Sequence, residues 1–159
     1  ILCLSLQCEI NETQIKMKES DAYLRLVDCG IRPSMQRLSI MDYLLKHATH
    51  PTIDDIYKDL LPSIPTLSRT TLYNTLRLFA ETNAAQLLTI DDHHQCYDGN
   101  TKEHVHFLCK KCGRVIDLFD VPAPKRSEVG VVEGNRVDDA QLYYRGVCAH
   151  CLKKELAKA

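Results

Sequence analysis

Residues 104–117, His-Val-His-Phe-Leu-Cys-Lys-Lys-Cys-Gly-Arg-Val-Ile-Asp, set two kinds of metal ligand side by side. His104 and His106 are two apart, so on a β-strand both imidazoles leave the same face. Cys109 and Cys112 form a Cys-x-x-Cys knuckle closed by Gly113, and Cys148 and Cys151 form a second knuckle near the C-terminus. Four thiolates in two pairs have the chemistry of a closed, tetrahedral structural Zn2+ site. A redox dithiol or an iron–sulfur cluster would use the same residues. A redox pair normally opens a helix after a strand, however, which the run Gly113-Arg114-Val115 does not predict.

The two histidines, with carboxylates nearby, make a separate site of harder nitrogen and oxygen character. Asp117 lies on the strand returning from the first knuckle, Asp98 precedes His104 by six residues, and His50 stands before Pro51 at a predicted helix end. Each has a plainer reading beside the ligand one: a helix C-cap for His50, a solvated strand end for Asp117. His150 reads as a bystander between two cysteines, and Cys29 and Cys96 as packing residues. Asp91, Asp92, His93 and His94 read as a solvated turn.

The elements that must position these groups follow from periodicity and capping. Ser20 or Asp21 caps a short helix running through Tyr23, Leu24, Leu26 and Val27, ended at Cys29-Gly30. Ser34 caps a second helix with Leu38, Met41, Leu44 and Leu45 as its core stripe, stopping before Pro51. Thr52 caps a third, with Ile53, Ile56, Tyr57, Leu60 and Leu61 inward. A fourth spans Thr70 to Thr82, with Leu72, Leu76 and Phe79 inward. A β-hairpin follows, residues 85–90 and 95–97.

Three helices and a two-stranded wing describe a winged helix-turn-helix, which presents the fourth helix to the DNA major groove. Its outer face offers Ser68, Arg69, Thr71, Tyr73, Asn74, Thr75 and Arg77, with no acidic residue from Ser68 to Ala80. Arginines, hydroxyls and an amide suit phosphate contacts and base edges. Asp98-Gly99-Asn100 reads as a hinge. Beyond it come strands near 104–108, 114–119 and 141–145, a weak helix or loop over 125–134, and a basic helix over 152–158. This second unit is too short for a large core and needs a metal staple, a partner subunit, or both.

Taken together, these motifs resemble the ferric uptake regulator (Fur) superfamily. The likeness rests on the His-x-His-Phe-x-Cys-x-x-Cys-Gly-x-x-x-Asp run, the later Cys-x-x-Cys and the Ser-x-x-Thr-x-Tyr-x-x-Leu of the fourth helix, and it spans roughly residues 18–153. It implies an α+β protein with a winged-helix DNA-binding domain over 17–98 and a small α/β dimerisation and metal-binding domain over 99–159. It further implies a homodimeric repressor on a palindromic double-stranded DNA operator. Ala48-Thr49-His50-Pro51-Thr52 resembles the segment carrying the family's interdomain histidine. The implied regulatory site is then His50, Asp98, His104, His106 and Asp117, a set suited to Fe2+ or Mn2+, with Zn2+ a tighter competitor.

Aspartate at both acidic positions resembles the peroxide-sensing branch; iron-responsive members more often carry glutamate there. The resemblance therefore implies peroxide sensing through bound Fe2+, with oxidation of a ligand histidine at His50 or His104 releasing DNA. A reversible iron-homeostasis repressor is the alternative. Val105 and the lack of histidine between Arg126 and Val147 imply that a further site of some family members is missing.

Composition bounds the rest. The chain has 159 residues, enough for one large domain or two small ones, and a formal net charge of −1, so DNA binding must rest on a local patch. Eight cysteines without a secretory signal imply reduced thiols in the cytoplasm. The apolar run Ile1–Leu6 is far short of a membrane span, so no membrane partner is expected. Residues 1–16, ahead of Met17, read as a leader or disordered tail. Two other classes compete: a non-haem iron oxygenase using His104, His106 and one carboxylate, and a zinc-ribbon interaction module. The first lacks a jelly-roll strand count, so no enzyme is expected.

Overall fold

The computed structural model describes residues 20–90, 95–123, 130–138 and 140–157. They form two compact units, one ending at Thr101 and the other beginning at Lys102. Residues 1–16, expected as a leader or tail, residues 91–94, expected as a turn, and residues 124–129 lie outside the described residues.

The first unit contains helices α1 (Asp21–Asp28), α2 (Met35–Lys46), α3 (Ile53–Leu60) and α4 (Arg69–Glu81), then strands β1 (Gln86–Leu88) and β2 (Cys96–Asp98). Each of these helices opens on a hydroxyl cap. The side chains of Ser20, Ser34, Thr52 and Ser68 accept from the backbone N–H three residues on, which satisfies donors the helix itself cannot. At α3 the box is reciprocal, because Asp55 also accepts from the Thr52 N–H. Gly30, at φ 70°, ends α1, and its N–H donates to the Val27 carbonyl.

Leu26, Ile40, Met41, Ile56, Leu72, Leu76 and Phe79 are fully buried, each contributing about 1.5–3 kcal/mol of transfer free energy. In α1, Ala22 and Leu26 face inward while Leu24 and Val27 are about half exposed, because this two-turn helix packs along a single i, i+4 row. The inward face of α2 is wider than expected. Ile40 and Tyr43 join Leu38, Met41 and Leu44 inside, because α2 is covered on more than one side. Leu61 sits at the rim of the core. The wing is antiparallel, with Gln86 opposite Asp98 and Leu88 opposite Cys96. Cys96 is buried and Cys29 half-buried.

The second unit is a three-stranded sheet in the order β4 (Val115–Leu118), β3 (Val105–Cys109), β7 (Tyr143–Gly146), followed by helix α5 (Ala149–Leu156). β3 runs antiparallel to β4 and parallel to β7. Between β4 and β7 in the chain lies a small hairpin of β5 (Val131–Val132) and β6 (Asn135–Arg136). Of the helix or loop expected over 125–134, residues 125–129 lie outside the described residues, and over 131–134 a strand and a tight turn stand in place of a helix, with Glu133 and Gly134 at φ 49° and 82° reversing the chain. α5 begins three residues earlier than expected, with Cys148 at its N-cap. Few large apolar side chains of this unit are buried, while Phe119, Val131, Tyr144, Leu152 and Leu156 are exposed.

The expected hinge, Asp98-Gly99-Asn100, lies within the first unit, as does Thr101, although the sequence predicts that the second domain begins at residue 99. The Arg25 guanidinium donates to the Gly99 carbonyl and to the Thr101 hydroxyl, and Gln86 Nε2 donates to the Asn100 carbonyl.

Candidate metal centres and nucleic-acid interface

The parallel pairing of β3 with β7 explains how cysteines far apart in sequence converge. Cys109 pairs with Gly146, so both strands end at one edge of the sheet and each runs into its Cys-x-x-Cys there. Gly113 takes φ 69°, and its N–H donates to the Cys109 carbonyl to close the first knuckle. Cys109 Sγ lies 3.9 Å from Cys151 Sγ, and Cys112 Sγ lies 3.9 Å from Cys148 Sγ. All four sulfurs fall within 4.8 Å of one another. A tetrahedron with metal–sulfur bonds of about 2.3 Å has edges of about 3.8 Å, so this donor set fits Zn2+ without rearrangement. The sulfurs are too far apart for a disulfide.

The Cys148 N–H donates to Cys109 Sγ at 3.3 Å and holds that thiol's pKa down at about 6. Burial pushes Cys151 up to about 12, and the neighbouring thiols add to the shift, since four adjacent thiols cannot all ionise without a cation. The second knuckle does open a helix after a strand, contrary to the argument from Gly113. The redox reading of Cys148 and Cys151 fails instead on their convergence with Cys109 and Cys112. A Lys111–Glu155 ion pair ties the first knuckle to α5.

The same sheet builds the second cluster. His106 faces Asp117 across the β3–β4 ladder, and His104 stands one residue before β3. Asp117 Oδ1 is 3.2 Å from His104 Nε2 and 3.6 Å from His106 Nε2, with the two rings 4.3 Å apart. His104 Nδ1 lies 2.7 Å from the Lys102 carbonyl. A proton on Nδ1 makes that a hydrogen bond and leaves Nε2 as a lone-pair donor beside Asp117, the tautomer a metal ligand needs. Both histidines are buried.

In the first unit, His50 and Asp98 come together, with Nε2 to Oδ2 at 3.9 Å. The Tyr97 N–H donates to the Pro51 carbonyl, and Thr52 bridges Cys96, so the wing strand holds the α2–α3 loop. His50 itself takes φ 52°, a strained conformation for a non-glycine residue that this packing enforces. Asp98 Oδ1 accepts from the Asn100 N–H at 2.8 Å, which leaves Oδ2 toward His50.

On α4, Tyr73, Asn74 and Arg77 are exposed as expected, but Thr75 is buried and leaves the set. Ser68 and Thr71 bond each other at 2.8 Å, and Ser68 caps the helix. Arg69 pairs with Asp54 of α3 and lies 4.6 Å over the Tyr57 ring. Arg77 sits 3.6 Å from Glu81. A groove of about 310 Å³ beside α4 is lined by Ser34, Gln36, Arg37, Thr71, Asn74 and Thr75. Gln36 and Arg37 carry no motif of their own in the sequence; their one signal is their place in the first turn after the Ser34 cap, beside the exposed N–H groups of α2.

The profile of the ferric uptake regulator family matches residues 28–145. The chain belongs to that family. Family membership makes it a metal-responsive transcriptional regulator that binds DNA as a dimer, and not an enzyme. It is 35% identical over 150 residues to the peroxide-responsive repressor PerR of Staphylococcus aureus strain Mu50, covering 92% of this chain and 98% of that one. Its fold is shared with the ferric uptake regulator of Pseudomonas aeruginosa with manganese, at 21% identity and a TM-score of 0.61, covering 82% and 99% of the two chains. A zinc-bound manganese uptake regulator shares it too, at 22% identity and a TM-score of 0.59, covering 81% and 99%. No described helix is long and apolar enough to cross a membrane.

Proposed function

We propose that this chain is a peroxide-responsive repressor whose DNA affinity is set by one divalent ion. Cys109, Cys112, Cys148 and Cys151 hold structural Zn2+ and keep the second unit folded. His104, His106 and Asp117 supply two imidazoles and a carboxylate from the second unit, while His50 and Asp98 supply one of each from the first. Neither half is a complete shell alone, and together they make a nitrogen and oxygen set suited to Fe2+ or Mn2+. With its ligands divided in this way, the ion favours one arrangement of the two units and so selects the DNA-competent state.

A homodimer would present two copies of α4 to successive major grooves of a palindromic operator, with Arg69, Tyr73, Asn74 and Arg77 outward and Ser68 and Thr71 at the helix start. The exposed apolar side chains of the second unit are suited to self-association. Bound Fe2+ supplies the one-electron chemistry that lets hydrogen peroxide attack an adjacent imidazole, which Mn2+ does not. His50 or His104 would be the ring that takes one oxygen atom from peroxide, whose other oxygen leaves as water, and the altered ring would no longer be a ligand.

The observation that carries this reading is the His104–His106–Asp117 cluster, with aspartate rather than glutamate at both acidic positions; the 35% identity to a peroxide-responsive repressor supports the branch. The test is operator binding by the Fe2+ and Mn2+ forms, each with and without peroxide. Loss of DNA by the Fe2+ form alone is expected. Equal loss in both would move the chemistry to cysteine, and loss in neither would leave a reversible iron-responsive regulator.

A further inference from the structure

Arg25, on α1, is remote in sequence from every proposed ligand, yet its side chain ends at the segment that follows one of them. Its Nη1 lies 3.1 Å from the Gly99 carbonyl, 3.2 Å from the Ala84 carbonyl and 3.2 Å from the Thr101 hydroxyl. Ala84 lies just before β1 and Gly99 just after β2, so one guanidinium clamps the open end of the wing hairpin. Gln86 Nε2 adds a second tie at the Asn100 carbonyl, 2.8 Å away. A Cβ on Gly99 would stand 2.7 Å from the Leu44 carbonyl oxygen, so the backbone there is pressed against α2. Asn100, fixed between these ties, donates its N–H to Asp98 Oδ1 at 2.8 Å and sets the carboxylate's rotamer.

We infer that Arg25 is a positioning residue for the regulatory metal site, acting through the Gly99–Thr101 segment to hold the Asp98 carboxylate in ligand geometry. The inference rests on the proposed role of Asp98. Lysine is a poor replacement, because a single ammonium on a flexible stem does not reach acceptors spread as these are.

The test is Mn2+ titration of the zinc-loaded full chain by electron paramagnetic resonance, beside thermal melting without Mn2+. Arg25→Met should weaken Mn2+ binding about tenfold, as loss of a residue orienting a ligand typically does. Arg25→Lys should fall between, and both should keep their zinc. On an Asp98→Asn background, Arg25→Met should add little further loss, because both changes act on one carboxylate. A lowered melting temperature with unchanged Mn2+ affinity would reduce Arg25 to a stabilising residue and overturn the inference. If Arg25→Met does not fold, Arg25→Lys and Thr101→Val carry the same comparison. If Asp98→Asn leaves Mn2+ affinity intact, the ligand assignment fails and takes the inference with it; if Asp98→Asn weakens binding and Arg25→Met does not, the inference alone fails.

Discussion

His106 and Asp117 are register partners across the antiparallel β3–β4 ladder, with Asp117 Oδ1 3.6 Å from His106 Nε2 and 3.2 Å from His104 Nε2. Backbone pairing, rather than side-chain rotamers alone, brings one carboxylate against two imidazoles. Asp117→Ala removes the group both rings share. It should cost more Mn2+ affinity than the roughly 10- to 100-fold typical of a residue that only orients a ligand. Zinc content should be unchanged, read by elemental analysis of the same sample. Undiminished Mn2+ binding would remove Asp117 from the ligand set.

Cys109→Ser breaks the other site. Cys109 lies at the end of β3 and receives the Cys148 N–H, so it joins both knuckles. Zinc binding and folding of this small unit are one equilibrium. The variant should lose zinc, sheet signal in circular dichroism and dimer on size exclusion, while His104→Ala should keep all three. Equal folding of both variants would contradict the division into structural and regulatory metals.

The caps, the helix order, the two Cys-x-x-Cys pairs and the His104–His106 pair are legible in the sequence because each is written locally; His50, Asp98 and Asp117 join that pair only through the family resemblance. A hydroxyl before an apolar stripe marks a helix start, and histidines two apart share a strand face whatever the tertiary setting. The parallel pairing of β3 with β7 is not legible. Residues 110–142 separate Cys109 from Tyr143, and the register that sets His106 beside Tyr143 and Cys109 beside Gly146 is encoded by nothing near either strand. The partners of Arg25 and Asp54 are hidden for the same reason, because each meets its partner only after the helices have packed. Thr75 is buried because α4 turns that hydroxyl toward the core side of the helix, which the polar composition of the outer face does not reveal.

Gly99→Ala tests the close approach of the wing to α2. The added Cβ would lie 2.7 Å from the Leu44 carbonyl oxygen and 2.9 Å from its carbon, both backbone atoms that cannot rotate away. Overpacking of this kind costs about 1–3 kcal/mol, so the melting temperature of the zinc-loaded protein without Mn2+ should fall by several degrees. An unchanged melting temperature would mean that the segment is not held against α2.

Arg69, proposed above to face DNA, is paired with Asp54. The pair is exposed on both sides and worth at most about 1 kcal/mol, so DNA can displace it. Asp54→Ala should tighten operator binding and steepen its salt dependence by about one unit of slope, measured by fluorescence anisotropy over a salt series. Arg77→Ala should weaken binding and flatten the slope. No response to either change would place this face of α4 away from DNA.

The capping box of α3 gives a pH dependence whose sign is fixed. Hydrogen bonds from the Thr52 hydroxyl and backbone N–H hold the Asp55 carboxyl below its ordinary value of 3.8. A depressed carboxyl pKa contributes stability that is complete above the unfolded value and fades as pH falls through the folded one. Asp55→Ala should therefore cost about 1 kcal/mol near neutral pH, as loss of a cap does. The gap between the two proteins in urea unfolding should narrow below about pH 4, the ordinary carboxyl range. Zinc loss in acid affects both proteins alike and cancels in the difference. A gap that stayed constant through the acid range would show that the ionised carboxylate is not what holds the start of α3.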